Sequence, residues 1–301
     1  MRVAVLGAGF GLYGYLPALA SLGHTVVLPQ RYRPTVEARE ELAGYLRAIA
    51  WRADDEAVLD AARAVVIARR PGDQQAQVPR ILARPEIERL ILEKPLARNP
   101  AEADRLHAEL AASGKTFRVG YTFPLTAWGQ RLTADARQIV QGDVSITWRF
   151  RAHHYATSAQ NWKQLHSHGG GGLRFYGVQL IALLAQLGYD KVLSSTVGLV
   201  APDDAETWEA VLAGNFSGTC RVTIKSNADQ PSFVIETAMT GASVRLDDPF
   251  GDQQGPQDRR VRLLVALCGD ALGGSQQFLA WYEPTVKLWR QIELATTFCN
   301  G

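Results

Sequence analysis

Cysteine is scarce: Cys220, Cys268 and Cys299 are the only three in 301 residues. They are odd in number and far apart, which excludes a disulfide framework and matches no metal-ligand spacing. They read as inert buried thiols in a reducing compartment. An excess of charge of one sign is also missing, since 32 Lys plus Arg face 30 Asp plus Glu and leave a formal net charge of +2. That balance gives no general case for nucleic acid or an anionic membrane as partner. No apolar run approaches the ~18 residues of a membrane span. The run Val3-Ala4-Val5-Leu6 behind Met1-Arg2 is too short for a secretion signal and meets Gly7 at once. A cytoplasmic protein is therefore expected. Internal repeats, low-complexity tracts and heptads are lacking as well.

What is present is length and alternation. A chain of 301 residues with 47% apolar content exceeds what one core usually holds, so two domains are expected. Up to residue 120, short β-like runs alternate with helical patterns. The runs are Val3 to Leu6, Thr25 to Leu28, Ala64 to Ala68, Ile87 to Leu92 and Phe117 to Gly120. Helices are expected over Tyr15 to Leu22, over Thr35 to Ile49, and from Asn99-Pro100 to Gly114, where cap, first-position proline and closing glycine are all in place. Such alternation implies α/β architecture, a doubly wound parallel sheet of Rossmann type over 1–120.

After Tyr121 the pattern becomes strand-rich. Val144 to Phe150, Val192 to Val200, Trp208 to Ala213, Cys220 to Lys225, Phe233 to Met239 and Val261 to Leu267 read as strands. Turn signals separate them at Ala201 to Asp204 and Asn215 to Gly218. Two helices interrupt them, Gly172 to Leu187 and roughly Ser275 to Phe298. The polar stretch Asp248 to Arg259 reads as a surface loop. Residues 121–301 are expected to form an open, mostly antiparallel α+β domain.

Val3 to Leu6 runs directly into Gly7-Ala8-Gly9-Phe10-Gly11-Leu12-Tyr13-Gly14. A strand, a glycine turn and a helix in that order are what a dinucleotide fingerprint requires. Gly7 permits the turn, and Gly9 lets the backbone approach a pyrophosphate seated on the helix N-terminus. Gly7, Gly9, Phe10 and Gly11 are the candidate cofactor residues of this turn. The third glycine is out of register: Leu12 holds its place, bracketed by Gly11 and Gly14. The second strand ends Leu28-Pro29-Gln30-Arg31-Tyr32-Arg33, without the usual ribose-binding acid. Arg31 or Arg33 can hold a 2′-phosphate, which leans toward NADP over NAD. Solvated arginines are the competing reading.

Ile91-Leu92-Glu93-Lys94-Pro95 ends a buried run in a distinctive tripeptide. Together with the glycine turn, with Leu16-Pro17-Ala18-Leu19, with Ile67-Ala68 leading to Pro71, with Val119-Gly120-Tyr121 and with the Gly169 to Gly172 run, it resembles the Gfo/Idh/MocA oxidoreductases, the glucose–fructose oxidoreductase and inositol dehydrogenase type. The resemblance implies an NAD(P)-dependent oxidoreductase for a sugar, sugar nucleotide or polyol. It places Lys94 by the nicotinamide and the reacting oxygen, often with a cis Lys-Pro bond, and Glu93 and Pro95 beside the cofactor. Arg69 and Arg70, where the family often has a Thr-Pro turn followed by His, lie on the nucleotide side, and Arg69 is the candidate there. The resemblance also implies a homo-oligomer, dimer or tetramer, paired through the second-domain sheet.

The family's catalytic helix carries an Asp two residues before a Gly and a His two residues after it. Here those positions hold Phe175 and Gln179 around Gly177. A Gln hydrogen-bonds but does not exchange a proton near neutrality. Gln179 is then a positioning group, and Tyr176, on the same stripe, is the candidate acid if a cation such as Lys94 lowers its pKa. A plain core aromatic is the alternative. His154, Trp162, Lys163, His166 and His168 lie between the first strand of the second domain and the glycine run. They offer a stacking face and polar contacts for a sugar-like ligand, against the alternative of a polar surface loop. No carboxylate or Cys accompanies His166 and His168, so a metal is not expected. Two other functions stay open: a regulatory or sensor protein that keeps the nucleotide and has lost the chemistry, and a lyase or hydrolase that recycles its nicotinamide.

Overall fold

Short runs rich in Val, Ile and Leu make most strands of the first sheet, and all but the half-buried edge strand Ile49–Arg52 are buried along most of their length, as a sheet covered on both faces demands. These are β1 (Arg2–Leu6), β2 (Thr25–Pro29), β3 (Ile49–Arg52), β4 (Ala64–Ile67), β5 (Arg89–Leu92) and β6 (Thr116–Val119). They pair in the order β3-β2-β1-β4-β5-β6, every pair parallel. The computed structural model describes all residues except 139–141, 215–217, 239–242, 252–254, 274–281 and 301. Of the sequence expectations, the turn residues 215–217, Met239, loop residues 252–254 and helix residues 275–281 fall outside the described ones.

A second sheet holds β7 (Val144–Arg151), β8 (Tyr189–Ala201), β9 (Asp204–Gly214), β10 (Thr219–Lys225), β11 (Asn227–Thr237), β12 (Ser243–Leu246) and β13 (Thr296–Asn300). Its order is β12-β11-β7-β10-β9-β8-β13. Only β7 with β10 and β8 with β13 run parallel. Alternation sets which face is inward: Val144, Ile146 and Trp148 of β7 and Cys220, Val222 and Ile224 of β10 are buried, while their neighbours are more exposed. The helix Val178–Gln186 is buried at every position from Val178 to Ala185 and packs on the helix Tyr282–Ala295 and on β8.

The chain forms two compact units. The first comprises Met1–Leu96, Leu106–Thr122 and Gln253–Leu279, and the second Ala97–Arg105, Phe123–Asp252 and Ala280–Gly301. The sequence division at 120/121 thus misses a return. Val261–Gly273, read as a strand over Val261 to Leu267, is a helix of the first unit. Its buried positions are Val261, Leu263, Leu264, Leu267, Cys268, Ala271 and Leu272; all but Leu263 recur at helical spacing, and the helix meets the helix Leu16–Ser21 and strands β5 and β6. Buried Arg118 of β6 donates from Nε to Asp270 Oδ2 at 2.8 Å and fixes this helix to the sheet.

Two further expectations need correction. Thr35 to Ile49 is not one helix but short helices Arg33–Glu37 and Glu40–Ala43, a 3-10 turn Leu46–Ala48 and the edge strand β3. Four half-buried strand residues are too few to show a period. The last helix stops at Ala295, because Thr296 to Asn300 add β13 alongside β8. The sequence reading has no helix over Pro71–Leu82, where one forms with proline at its first position. Among the described residues no helix is long and apolar enough to cross a membrane.

Candidate functional site

At the carboxyl end of β1 the backbone itself demands glycine. Gly7 has φ +136°, and a Cβ there would lie 2.1 Å from the Ala68 carbonyl oxygen. Gly9 is different: no heavy atom would come within 4 Å of its Cβ, so its backbone faces open space. Gly11 takes over the close-packing duty that the fingerprint gives to position 12, with its Cβ site 3.0 Å from Val5 Cγ1 and 3.4 Å from Ala68 Cβ. The register shift has a local cause. Residues Gly11–Tyr15 form a wide π-helical turn, which sends Leu12 into the core at 1% exposure. Gly14 then serves a side chain, since the Phe10 ring lies 2.5 Å from where its Cβ would be.

Phe10 is boxed in by Tyr13 and Tyr15, at ring-centroid distances of 5.3 and 5.5 Å, and by the Arg260 guanidinium, 4.1 Å from its centroid. Arg260 is held in turn by a bidentate pair with Asp258, at 2.8 and 2.7 Å. Sequence reasoning missed Arg260, because it comes from the returning segment. The open face of Gly9 and the helix that starts at this turn fit a dinucleotide pyrophosphate, which backbone amides at a helix start can bind.

The end of β2 is built around Tyr32, whose buried hydroxyl accepts from the Gly7 N–H at 3.2 Å. Arg31 donates to Asp55 Oδ1 at 2.5 Å, and Arg69 donates to Asp55 Oδ2 at 2.6 Å. Partial burial would raise the Asp55 pKa, but hydrogen bonds from Arg31 and Arg69 outweigh it and hold the group below the usual carboxylate range. Arg33 is not with them; it pairs with Glu37 on its own helix at 2.7 Å. The structure therefore brings Arg31 and Arg69 together and leaves Arg33 apart.

The Glu-Lys-Pro end of β5 is fastened by Gln74, a fully buried residue of the helix Pro71–Leu82. Gln74 Oε1 accepts from Glu93 N at 2.9 Å, and its Nε2 donates to the Glu93 carbonyl at 2.8 Å and the Leu96 carbonyl at 3.0 Å. The Lys94–Pro95 bond is cis. Tyr15 donates its hydroxyl proton to Glu93 Oε1 at 2.7 Å, and the Lys94 amide donates to Oε2 at 3.2 Å. Gly120 leaves the room for that pair: a Cβ there would fall 2.7 Å from Glu93 Oε1 and 2.9 Å from the Tyr15 hydroxyl. Desolvation raises the Glu93 pKa, while Tyr15, Lys94 and Arg260 oppose the rise.

In the second unit the glycine run has a packing role. A Cβ on Gly171 would meet Ala205 Cβ at 2.5 Å, one on Gly172 would meet the Thr207 carbonyl carbon at 2.9 Å, and one on Gly177 would meet the Trp208 ring at 2.6 Å. The π turn Gly172–Gly177 is thereby pressed onto β9. Gln179 is 3% exposed and its Oε1 accepts from the Phe123 N–H at 3.4 Å. Tyr176 packs against Phe150, Phe175 and Trp148 at 4.6, 4.9 and 5.8 Å. Phe175 in turn meets Trp162 at 5.3 Å and Lys163 Nζ at 5.3 Å. Trp162, Lys163 and Tyr176 are thus gathered around one aromatic group.

The histidines are dispersed. His154 is buried, and desolvation lowers its pKa. His166 is buried 3.7 Å from Glu293, which Arg174 grips at 2.7 and 2.9 Å. His168 is exposed, with Nδ1 3.0 Å from Ser167 Oγ. Among the described residues no group of three or more His, Cys, Asp or Glu is placed to hold a metal ion.

Residues 1–121 match the model of the GFO_IDH_MocA oxidoreductase family, NAD-binding Rossmann fold. No curated protein matches the chain. Among solved structures, GenD2 from gentamicin A biosynthesis, in complex with NAD, is 15% identical with a TM-score of 0.72, covering 98% of this chain and 93% of that one. KijD10, a 3-ketoreductase from Actinomadura kijaniata in complex with NADP and TDP-benzene, is 14% identical with a TM-score of 0.72, covering 100% and 99%. The WlbA dehydrogenase from Thermus thermophilus, in complex with NAD and UDP-GlcNAcA, is 16% identical with a TM-score of 0.72, covering 100% and 97%. At such identities the likeness is one of fold, over nearly the full length of each chain.

Proposed function

We propose that the protein is an NAD(P)-dependent oxidoreductase of the Gfo/Idh/MocA type acting on a sugar, sugar nucleotide or polyol-like substrate, a reading that the match of residues 1–121 to that family's model supports. The observation that carries the reading is the placement of Gly7–Gly11 and Lys94 at the carboxyl edge of one parallel sheet, after β1 and after β5 of the order β1-β4-β5. Ligands of open α/β sheets bind outside that edge. KijD10 and WlbA, which share the fold, are described with a nicotinamide dinucleotide and a nucleoside-diphosphate ligand. They favour a sugar nucleotide within the class.

When bound, the nicotinamide supplies a hydride acceptor or donor. The chain's own part is to hold and polarise. Lys94 is assigned the ammonium that donates to the reacting oxygen, and Glu93, fixed by Tyr15, holds the Lys94 backbone by accepting from its amide. Tyr176 is assigned a proton-carrying hydroxyl in substrate contact, with Trp162 and Lys163 on the same aromatic group. Gln179, committed to the Phe123 amide, orients and does not exchange protons. His154, His166 and His168 join the substrate residues of this reading, His154 buried, His166 beside Glu293 and His168 in solvent. NADP is the favoured cofactor, since Arg31 follows β2 where a ribose-binding acid would stand. A homo-oligomer belongs to the same reading, and sedimentation tests it.

The test is absorbance at the nicotinamide band with NADPH or NADP and a panel of sugars and sugar nucleotides. Turnover on any member that is lost in Lys94→Met supports the proposal. Tight cofactor binding with no turnover across the panel overturns it in favour of a sensor of the same fold.

A further inference from the structure

The arginines beside the glycine turn are not free surface charges, and their arrangement deepens the cofactor assignment, on which it rests. Arg31 follows β2, Asp55 follows β3 and Arg69 follows β4. Because β1 lies between β2 and β4, the Arg31–Asp55–Arg69 bridge spans the carboxyl ends of the strands on either side of the glycine turn. Tyr32 ties the bridge to the turn, accepting from the Gly7 amide at 3.2 Å and from Arg31 Nη2 at 3.4 Å.

We propose that Asp55 is an internal competitor for the ribose 2′-phosphate of NADP, and so the residue that sets how strongly this site prefers NADP to NAD. Each guanidinium has five N–H donors in a fixed fork. Among the described residues, Arg31 spends only Nη2, on Asp55 and Tyr32, and Arg69 spends only Nη2, on Asp55. The remaining donors of both are available to a second anion. Two arginines and one carboxylate leave the cluster one positive charge; exchange of the carboxylate for a phosphate dianion lets both forks bind the ligand in charge-assisted pairs. The site is partly solvated, with Arg31, Asp55 and Arg69 side chains 47%, 25% and 20% exposed, so the exchange needs no buried charge to be stranded. A 2′-hydroxyl carries no charge with which to displace Asp55, so NAD gains nothing from the arginines. Arg33, paired with Glu37, stands outside the cluster and serves as the control.

Titration calorimetry of NADP+ and NAD+ tests this on the full chain, and the readout is the ratio of the two affinities, which a general loss of fold leaves unmoved. Asp55→Asn is expected to raise the NADP+ to NAD+ affinity ratio about tenfold. Arg31→Gln and Arg69→Gln are each expected to lower it by at least as much, and Arg33→Gln to leave it in place. Thermal unfolding of each variant confirms that it is folded. A ratio unchanged within twofold in Asp55→Asn and both cluster arginine variants overturns the role of Asp55 and leaves the oxidoreductase reading standing. Failure of the wild-type protein to bind either dinucleotide overturns both.

Discussion

At the scale of single residues, the informative side chains are those whose partners lie far away in sequence. Glu93 and Lys94 were legible because a buried run ending in Glu-Lys-Pro is distinctive. Gln74 and Asp55 were not, since a Gln in a turn and an Asp opening a short helix have no pattern of their own until the sheet brings β5, β2 and β4 to them. Lys94→Met is expected to lower turnover at least a hundredfold while NADPH affinity stays within a few-fold, as fits a group acting on developing charge; steady-state kinetics beside a binding titration separate the two. Glu293 gives a pH prediction. Desolvation would raise its pKa, but the two hydrogen bonds from Arg174 and the nearby His166 ring lower it from 4.5 to about 2. Trp289 Nε1 also donates to it, at 3.1 Å. A depressed carboxylate pKa contributes stability that is complete above the ordinary value and disappears as pH falls through the folded one. The wild-type protein should therefore lose on the order of 3 kcal/mol between about pH 4.5 and 2 through this group. Chemical denaturation across that range should show a flatter slope for Glu293→Gln; an unchanged slope would mean that the Arg174 pair does not perturb it.

At the scale of elements, the glycine turn shows how a motif can be readable in kind and misread in detail. Strand, turn and helix were clear from residues 3 to 22, yet which glycine does what depended on the π turn at Gly11–Tyr15, which no spacing rule announces. Gly7 is required by its backbone, Gly11 by Val5 and Ala68, and Gly14 by the Phe10 ring. Gly7→Ala combines positive φ with a Cβ 2.1 Å from a carbonyl oxygen, so it should destabilise by roughly 3 kcal/mol and abolish dinucleotide binding. Gly14→Ala should cost roughly 1–3 kcal/mol by overpacking against Phe10, and Phe10→Leu in the same chain should recover part of it. Urea unfolding of the two single variants and the double variant checks this. Equal destabilisation with and without the Phe10 ring would remove the ring from the explanation. The misread Val261 to Leu267 has the same lesson in reverse: seven mostly apolar residues satisfy either period until burial chooses the helix.

At the scale of the whole molecule, the α/β first half and the strand-rich second half were legible from the change in alternation near Tyr121. The return of Gln253–Leu279 to the first unit was not, because a polar loop precedes it and only long-range packing reveals where it goes. That return has consequences for folding. A fragment Met1–Thr122 would leave the apolar surfaces of β5, β6 and the helix Leu16–Ser21 without the cover of Val261–Gly273, and would strand buried Arg118 without Asp270. Such a fragment should be insoluble or molten, and in the intact chain Arg118→Met should destabilise by about 1–3 kcal/mol through the lost pair with the partly exposed Asp270.

The central claim is that the turn at Gly7–Gly11 holds a nicotinamide dinucleotide. Seven tryptophans make it directly measurable by energy transfer to bound NADPH. Titration of NADPH into the wild-type protein should quench tryptophan emission saturably with one dinucleotide per chain, and Gly7→Ala should abolish the signal. If millimolar NADPH and NADH both leave the wild-type emission unchanged beyond inner-filter correction, the turn is only a glycine-rich bend and the oxidoreductase account is wrong.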